Sequence, residues 1–209
     1  MHRTLDDFPE EAVVREIVER EARHFGRRVS AEEYYQLEDD GCRYELIDGV
    51  VCMSPSPNWK HQNVLLEIAL QLAIYLKKHP VGAVLPEIDV RLGTGPRGGD
   101  IIYRPDVVFL KSGRLPKGAE IIEIPPDLVV EVASVSTRRY DLETKKADYE
   151  RMGISEYWIV DPRRETMTFF RLKAGSYVEV EPDGDRFASV AVPGFALDLS
   201  EIRRSFRRG

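Results

Sequence analysis

"PDLVVEVASVSTRRYDLETKKADYERMG", residues 126–153, decides how the chain is read. Leu128, Val129, Val130, Val132 and Ala133 form the near-continuous apolar run of a strand covered on both faces. Glu131 interrupts it. An unpaired carboxylate in such a place costs several kcal/mol. Three readings remain: the strand lies at an edge and Glu131 meets water, Glu131 pairs with an arginine, or it points into a cleft and binds a metal ion. After Ser134 the pattern turns helical over residues 138–152, and Gly153 is placed as the C-terminal cap. "EYWIVDP", residues 156–162, is a further short apolar strand.

The flanking sequence supplies the rest of an α/β layout. Upstream, "NWKHQNVLLEIALQLAIYLKKH" (58–79) carries Val64, Leu65, Ile68, Leu72 and Leu76 at helical spacing, and Pro80 ends it. Strand-like runs follow over residues 83–92, 100–110 and 127–134, with "GTGPRGG" (93–99) and a long polar loop between them. Downstream, residues 166–172, 176–182 and 186–192 alternate in polarity between turn signals, which predicts antiparallel strands. The basic end, "RRSFRRG" (203–209), reads as frayed. Helix, three strands, helix and strand make an α/β sandwich with a mixed sheet.

The N-terminal part is less regular. Residues 10–25 predict an amphipathic helix, and Ser30 with Glu33 has the spacing of a capping box. "RYELIDGVV" (43–51) predicts a hairpin turning at Asp48-Gly49, with Cys52 opposite Glu45. Cys42 then lies beyond the reach of Cys52, so no disulfide is predicted, and two cysteines without a CxxC pair make no zinc site.

The 209 residues, 43% of them hydrophobic, suffice for one well-formed core. No apolar run approaches the ~20 residues that cross a bilayer, and "MHRTLDDFPEE" does not read as a secretion signal. A cytoplasmic protein without a membrane partner is expected. The net charge of −6 excludes binding to nucleic acid by bulk charge, so any such binding needs a local basic patch.

A second acid stands beside Glu131 in the expected layout. Asp106 follows Pro105 and opens the apolar run "VVFL". It reads either as an Asx turn after a proline or as a partner of Glu131. Neighbouring strands lie ~4.8 Å apart, so carboxylates on adjacent strands and on one face can share a divalent cation, and hard oxygen ligands suit Mg²⁺ or Mn²⁺. On the following helix Asp141, Lys145 and Tyr149 fall on one i, i+4 stripe. That is a surface ion pair of a few tenths of a kcal/mol, or a device that aims Lys145 at the acids. Lys146 lies about 100° around the helix.

Taken together, "YELIDG" (44–49), "SPSPNWKHQNV" (54–64), "RPDVVF" (104–109), "DLVVEVASVST" (127–137), "DLETKKADYERMGISEYWIVDP" (141–162) and "PGFALDL" (193–199) resemble the Uma2 family of endonucleases, a branch of the PD-(D/E)XK superfamily. The resemblance runs from about residue 30 to residue 200. It implies a restriction-endonuclease-like core in residues 29–209, with residues 1–28 as an N-terminal helical extension. It also implies a Mg²⁺-dependent enzyme that hydrolyses DNA phosphodiester bonds. By position it makes Asp106 and Glu131 ligands of a Mg²⁺ or Mn²⁺ ion and lets Glu45 and His61 line the site. The superfamily lysine stands two residues after the second acid. Here that residue is Ala133, so Lys145 is the candidate replacement, reaching in from the helix. Glu87, on the strand before Asp106, is a further inward-pointing candidate. Arg97, Arg104, Arg138 and Arg139 are the basic side chains expected to meet DNA, and a homodimer is expected because two strands must be cut.

Two other classes compete. An idle member of the fold would bind nucleic acid or a protein without cutting, which Ala133 and the acidic charge favour. An acid pair also serves glycosidases, but Lys145 and the lack of an aromatic sugar platform count against that. Mutual repulsion of the acids predicts that Glu131→Gln leaves the melting temperature unchanged or raises it.

Overall fold

The computed structural model describes residues 22–54, 56–114, 118, 120–134 and 137–207. Most of the predicted helix over residues 10–25 therefore lies outside the described residues, and residues 22–25 form turns. Among the described residues, no helix is long and apolar enough to cross a membrane. The chain divides into two compact units. One comprises residues 1–54 and 94–101; the other comprises 55–93 and 102–209.

In the first unit, α1 (Ala31–Tyr34) begins with the expected capping box: Ser30 accepts from the Glu33 amide and Glu33 accepts from the Ser30 amide. Strands β1 (Arg43–Ile47) and β2 (Val50–Ser54) pair antiparallel, with Ile47 opposite Val50 and Glu45 opposite Cys52. The turn residues Asp48 and Gly49 have φ of 51° and 77°, both positive, as a two-residue type I′ turn requires. The Asp48 carboxylate accepts the amides of Arg97 (2.9 Å) and Gly99 (2.8 Å). A Cβ on Gly99 would sit 2.2 Å from the Asp48 carbonyl carbon, so this contact admits no side chain there. Both cysteines are free.

The second unit is built on a six-stranded sheet. Helix α2 (Trp59–Lys78) runs into β3 (Gly82–Pro86); β4 (Val90–Thr94) and β5 (Asp100–Tyr103) follow, then β6 (Val107–Lys111) and β7 (Leu128–Val132). The runs predicted as two long strands, 83–92 and 100–110, are each broken in two. Glu87 takes a φ of 49°, a value that ends an extended strand, and Arg104-Pro105-Asp106 separates β5 from β6. The pieces β4 and β5 take no part in the six-stranded sheet. After β7 the helical crossover has three parts: α3 (Arg138–Tyr140), a π-helical stretch Asp141–Lys145, and α4 (Lys146–Arg151). Gly153, with φ of 76°, stops it as predicted. Strands β8 (Glu156–Asp161), β9 (Thr166–Lys173) and β10 (Ser176–Glu179) complete the order β10-β9-β8-β7-β6-β3. β7 and β8 are parallel, and the other neighbours are antiparallel.

Both faces of this mixed sheet are covered. On one, Val64, Leu65, Ile68, Leu72 and Leu76 of α2 pack with Val107, Phe109, Leu128, Val130 and Val132. On the other, Tyr149 of α4 meets Tyr157 of β8 edge-on at 5.0 Å between ring centroids. The small pair β11 (Arg186–Ala188) and β12 (Ala196–Asp198) leads into α5 (Leu199–Ser205). Here the reading of the basic end is corrected. Leu199, Ile202 and Phe206 are buried in the main core, so residues 203–206 are held by packing rather than frayed.

Candidate active site

β7 is an interior strand, and all five of its residues are buried. The edge reading of Glu131 therefore fails, and the cation set against it is a lysine. Lys145 Nζ lies 3.0 Å from Glu131 Oε1, and the Tyr149 hydroxyl donates to the same oxygen at 2.8 Å. Lys145 and Glu131 expose about 5% and 6% of their side chains. The predicted stripe is the device that brings these groups in: Asp141 Oδ1 is 3.9 Å from Lys145 Nζ. The helix is π-wound over this stretch, a distortion that recurs at functional sites. The ammonium also faces the rings of Tyr103 and Tyr140, at 5.3 and 5.6 Å from their centroids. Lys146 turns elsewhere and lies over Phe170 at 4.0 Å.

Asp106 sits just before β6. The β6–β7 register pairs Val107 with Val130, so one step further Asp106 comes opposite Glu131. Asp106 itself precedes the paired residues of β6. The Asp106 carboxylate continues the ladder where the main chain stops: Oδ2 accepts the Val132 amide at 2.6 Å. Its other oxygen lies 3.1 Å from His61 Nε2. His61 is delivered by the start of α2, where the Asn58 side chain caps the His61 amide. Among the described residues, the buried His61 Nδ1 has no hydrogen-bond partner. The β3–β6 register pairs Pro86 with Val107, and the Glu87 amide donates to the Asp106 carbonyl at 3.1 Å. Glu87, Asp106 and Glu131 thus follow one another across the end of the sheet.

The remaining expected residues are dispersed. Glu45 and Arg97 belong to the first unit, Glu45 buried opposite Cys52 and Arg97 exposed. In the second unit, Arg104 pairs with Asp89 at 2.6 Å, Arg138 with Asp161 at 3.0 Å, and Arg139 with Glu143 at 3.1 Å. Sequence reasoning missed Asp161, Arg163 and Arg164, which gather with Arg138 and Arg139 at the end of β8. Their only sequence signal is the run "DPRRE" after an apolar strand. Burial alone would raise the Asp161 carboxyl pKa. Instead it is lowered, by the Arg164 and Arg163 amides and the guanidinium groups of Arg164 and Arg138.

Carboxylate oxygens are the donor type that hard divalent ions take. Asp106 and Glu131 stand opposite each other in the strand register, but Asp106 is held by His61 of α2 and Glu131 by Lys145 and Tyr149 of the crossover helix, elements that cover opposite faces of the sheet. Among the described residues, no three His, Cys, Asp or Glu side chains converge as a cluster able to hold a metal. Mg²⁺ is ordinarily held by one or two carboxylates plus water and substrate oxygens, not by an all-protein cage.

A family model described as "Putative restriction endonuclease", Uma2, matches residues 31–200. Among solved structures, the chain is similar to a crystal structure described as a putative nuclease belonging to DUF820 from Anabaena variabilis. The TM-score is 0.72 at 19% identity, over 85% of this chain and 99% of that one. At that identity the likeness shows a shared fold. No curated protein matches. The family match spans most of the chain and includes both acids, the crossover helix and β8; the protein belongs to the Uma2 family.

Proposed function

We propose that the protein is a divalent-metal-dependent endonuclease that hydrolyses phosphodiester bonds of DNA. In this reading residues 29–209 form the catalytic domain, residues 1–28 an extension, and the enzyme works in the cytoplasm as a homodimer. The observation that carries it is the opposition of Asp106 and Glu131 at the end of β6 and β7, with Lys145 in direct contact with Glu131. Asp106 and Glu131 would hold Mg²⁺ or Mn²⁺. When bound, the ion supplies Lewis-acid polarisation of a phosphoryl oxygen and a more acidic water.

The chain's own residues do the rest. Lys145 offsets the charge of Glu131 in an otherwise apolar strand and places a fixed positive charge where negative charge develops on the phosphoryl group. Tyr149 fixes the Glu131 carboxylate through one oxygen. The Val132 amide and His61 fix both oxygens of Asp106, so the acids are positioned before substrate arrives. Glu87 is a supporting acid, and Arg104, Arg138 and Arg139 are assigned to the DNA backbone.

A second reading, an idle member that only binds nucleic acid or a protein partner, is favoured by Ala133 at the superfamily lysine position. Nicking of supercoiled plasmid with millimolar Mg²⁺ or Mn²⁺ separates the two. Wild type should cleave and Asp106→Asn should not. Asparagine keeps an acceptor for the Val132 amide, so that variant tests the charge rather than the fold. Lys145→Ala should lose on the order of 10²–10³-fold, and Lys146→Ala should stay within about twofold, as positions outside such a site do. Absence of cleavage by wild type on supercoiled, linear and single-stranded DNA with either metal would leave the idle reading. Light scattering tests the dimer.

A further inference from the structure

We infer that the cleft at the end of β8 is a phosphate subsite for the nucleic-acid strand that passes the Asp106–Glu131 pair; this rests on the nuclease reading and extends it. The cleft, about 430 Å³, is lined by Ser134, Arg138, Arg139, Asp161, Arg163 and Arg164. β7 and β8 are parallel neighbours, with Val132 opposite Val160. The segments leaving both strands therefore emerge at one end of the sheet, the end that carries Glu131. Ligands of α/β sheets collect outside such carboxyl ends. Ser134 is three residues beyond Glu131, at most ~11 Å along the chain. That is within about three nucleotides of one strand, at ~3.4 Å of helix axis each.

The chemistry of the cleft is that of an anion receptor. Its lining holds four arginines and one acid, Asp161, in a chain whose net charge is −6, and Arg139 is already paired with Glu143. The one carboxylate is spent internally. Asp161, with 7% of its side chain exposed, accepts the amides of Arg163 and Arg164 at 3.0 Å each, Arg164 Nη1 at 3.2 Å and Arg138 Nε at 3.0 Å. It anchors the arginines and leaves donors over. Among the described residues, the Nη atoms of Arg138 and the whole guanidinium of Arg163 make no hydrogen bond or ion pair. A planar fork with spare N–H groups recognises a phosphate bidentately. Arg163 and Arg164 are thus assigned to the DNA-binding surface beside Arg138 and Arg139.

The test is fluorescence anisotropy of a short labelled DNA duplex in EDTA, where no cleavage occurs, over a range of salt. Arg139→Ala/Arg163→Ala leaves the Asp161 anchor intact. It should weaken binding about tenfold and lower the slope of log affinity against log salt by about two, one for each lost phosphate contact. Arg203→Ala/Arg204→Ala removes the same charge from α5 and should leave the slope unchanged. Equal losses in the two double variants, no loss in the first, or no binding by wild type would each overturn the subsite. Metal-dependent cleavage by wild type is scored separately. Cleavage with an unaffected cleft variant discards the subsite and keeps the nuclease, whereas a cleft-dependent affinity without cleavage does the reverse.

Discussion

Glu131 is tolerated inside β7 because Lys145 and Tyr149 reach the same oxygen from the covering helix. This reverses the expectation drawn from acid–acid repulsion alone. With a cation already 3.0 Å away, Glu131→Gln strands a buried ammonium, and Lys145→Met strands a buried carboxylate. Breaking such a pair from one side costs about 3–5 kcal/mol, while replacing both members by neutral groups of similar size is often neutral. Each single variant should therefore melt well below wild type in denaturant titrations, and Glu131→Gln/Lys145→Met should recover most of the loss while remaining inactive. A double variant as unstable as the sum of the singles would show that the two groups act independently. The acids and the lysine were legible in the sequence through an apolar run with one charge in it and an i, i+4 stripe. Asp161 was not, because a carboxylate followed by two arginines looks like an ordinary turn until the fold places Arg138 beside it.

The elements tell a similar story of local signals and their limits. Helix α2, β7, the crossover helix and β8 could be read from periodicity because each buries a regular stripe or a whole strand. The breaks at Glu87 and at Arg104-Pro105 could not, since apolar residues continue on both sides and only the partner sheet differs. Helix α5 was overlooked for another reason: Leu199, Ile202 and Phe206 keep helical spacing, but four arginines from 203 onward dominate the composition. Its Asp198 cap accepts the Ser200 and Glu201 amides, and Phe206 is almost fully buried. Phe206→Ala should cost about 3–5 kcal/mol, as aromatic truncations in cores do. Circular dichroism during urea unfolding would measure this, and a change below about 1 kcal/mol would mean that the end contributes nothing to the core.

At the scale of the whole molecule, ion binding and stability are linked. An ion held only by the folded chain stabilises it by about 1.4 kcal/mol when free at ten times its dissociation constant, roughly 3–6 °C for a chain of this size. Mn²⁺ should raise the melting temperature of wild type by that amount and leave Asp106→Asn unmoved. Equal shifts in both would place the ion elsewhere. Finally, the side-by-side course of β7 and β8 has a temporal meaning. Parallel strands need a crossover and close late, because distant segments must meet first. A growing polypeptide that has not yet reached Asp161 carries Glu131 and Lys145 but lacks the neighbour that clamps the crossover down. The delay has a consequence for the proposed function: the Glu131–Lys145 pair is fixed in place only after β8 has been made, so a chain stopped before residue 156 should show no metal-dependent nicking of plasmid.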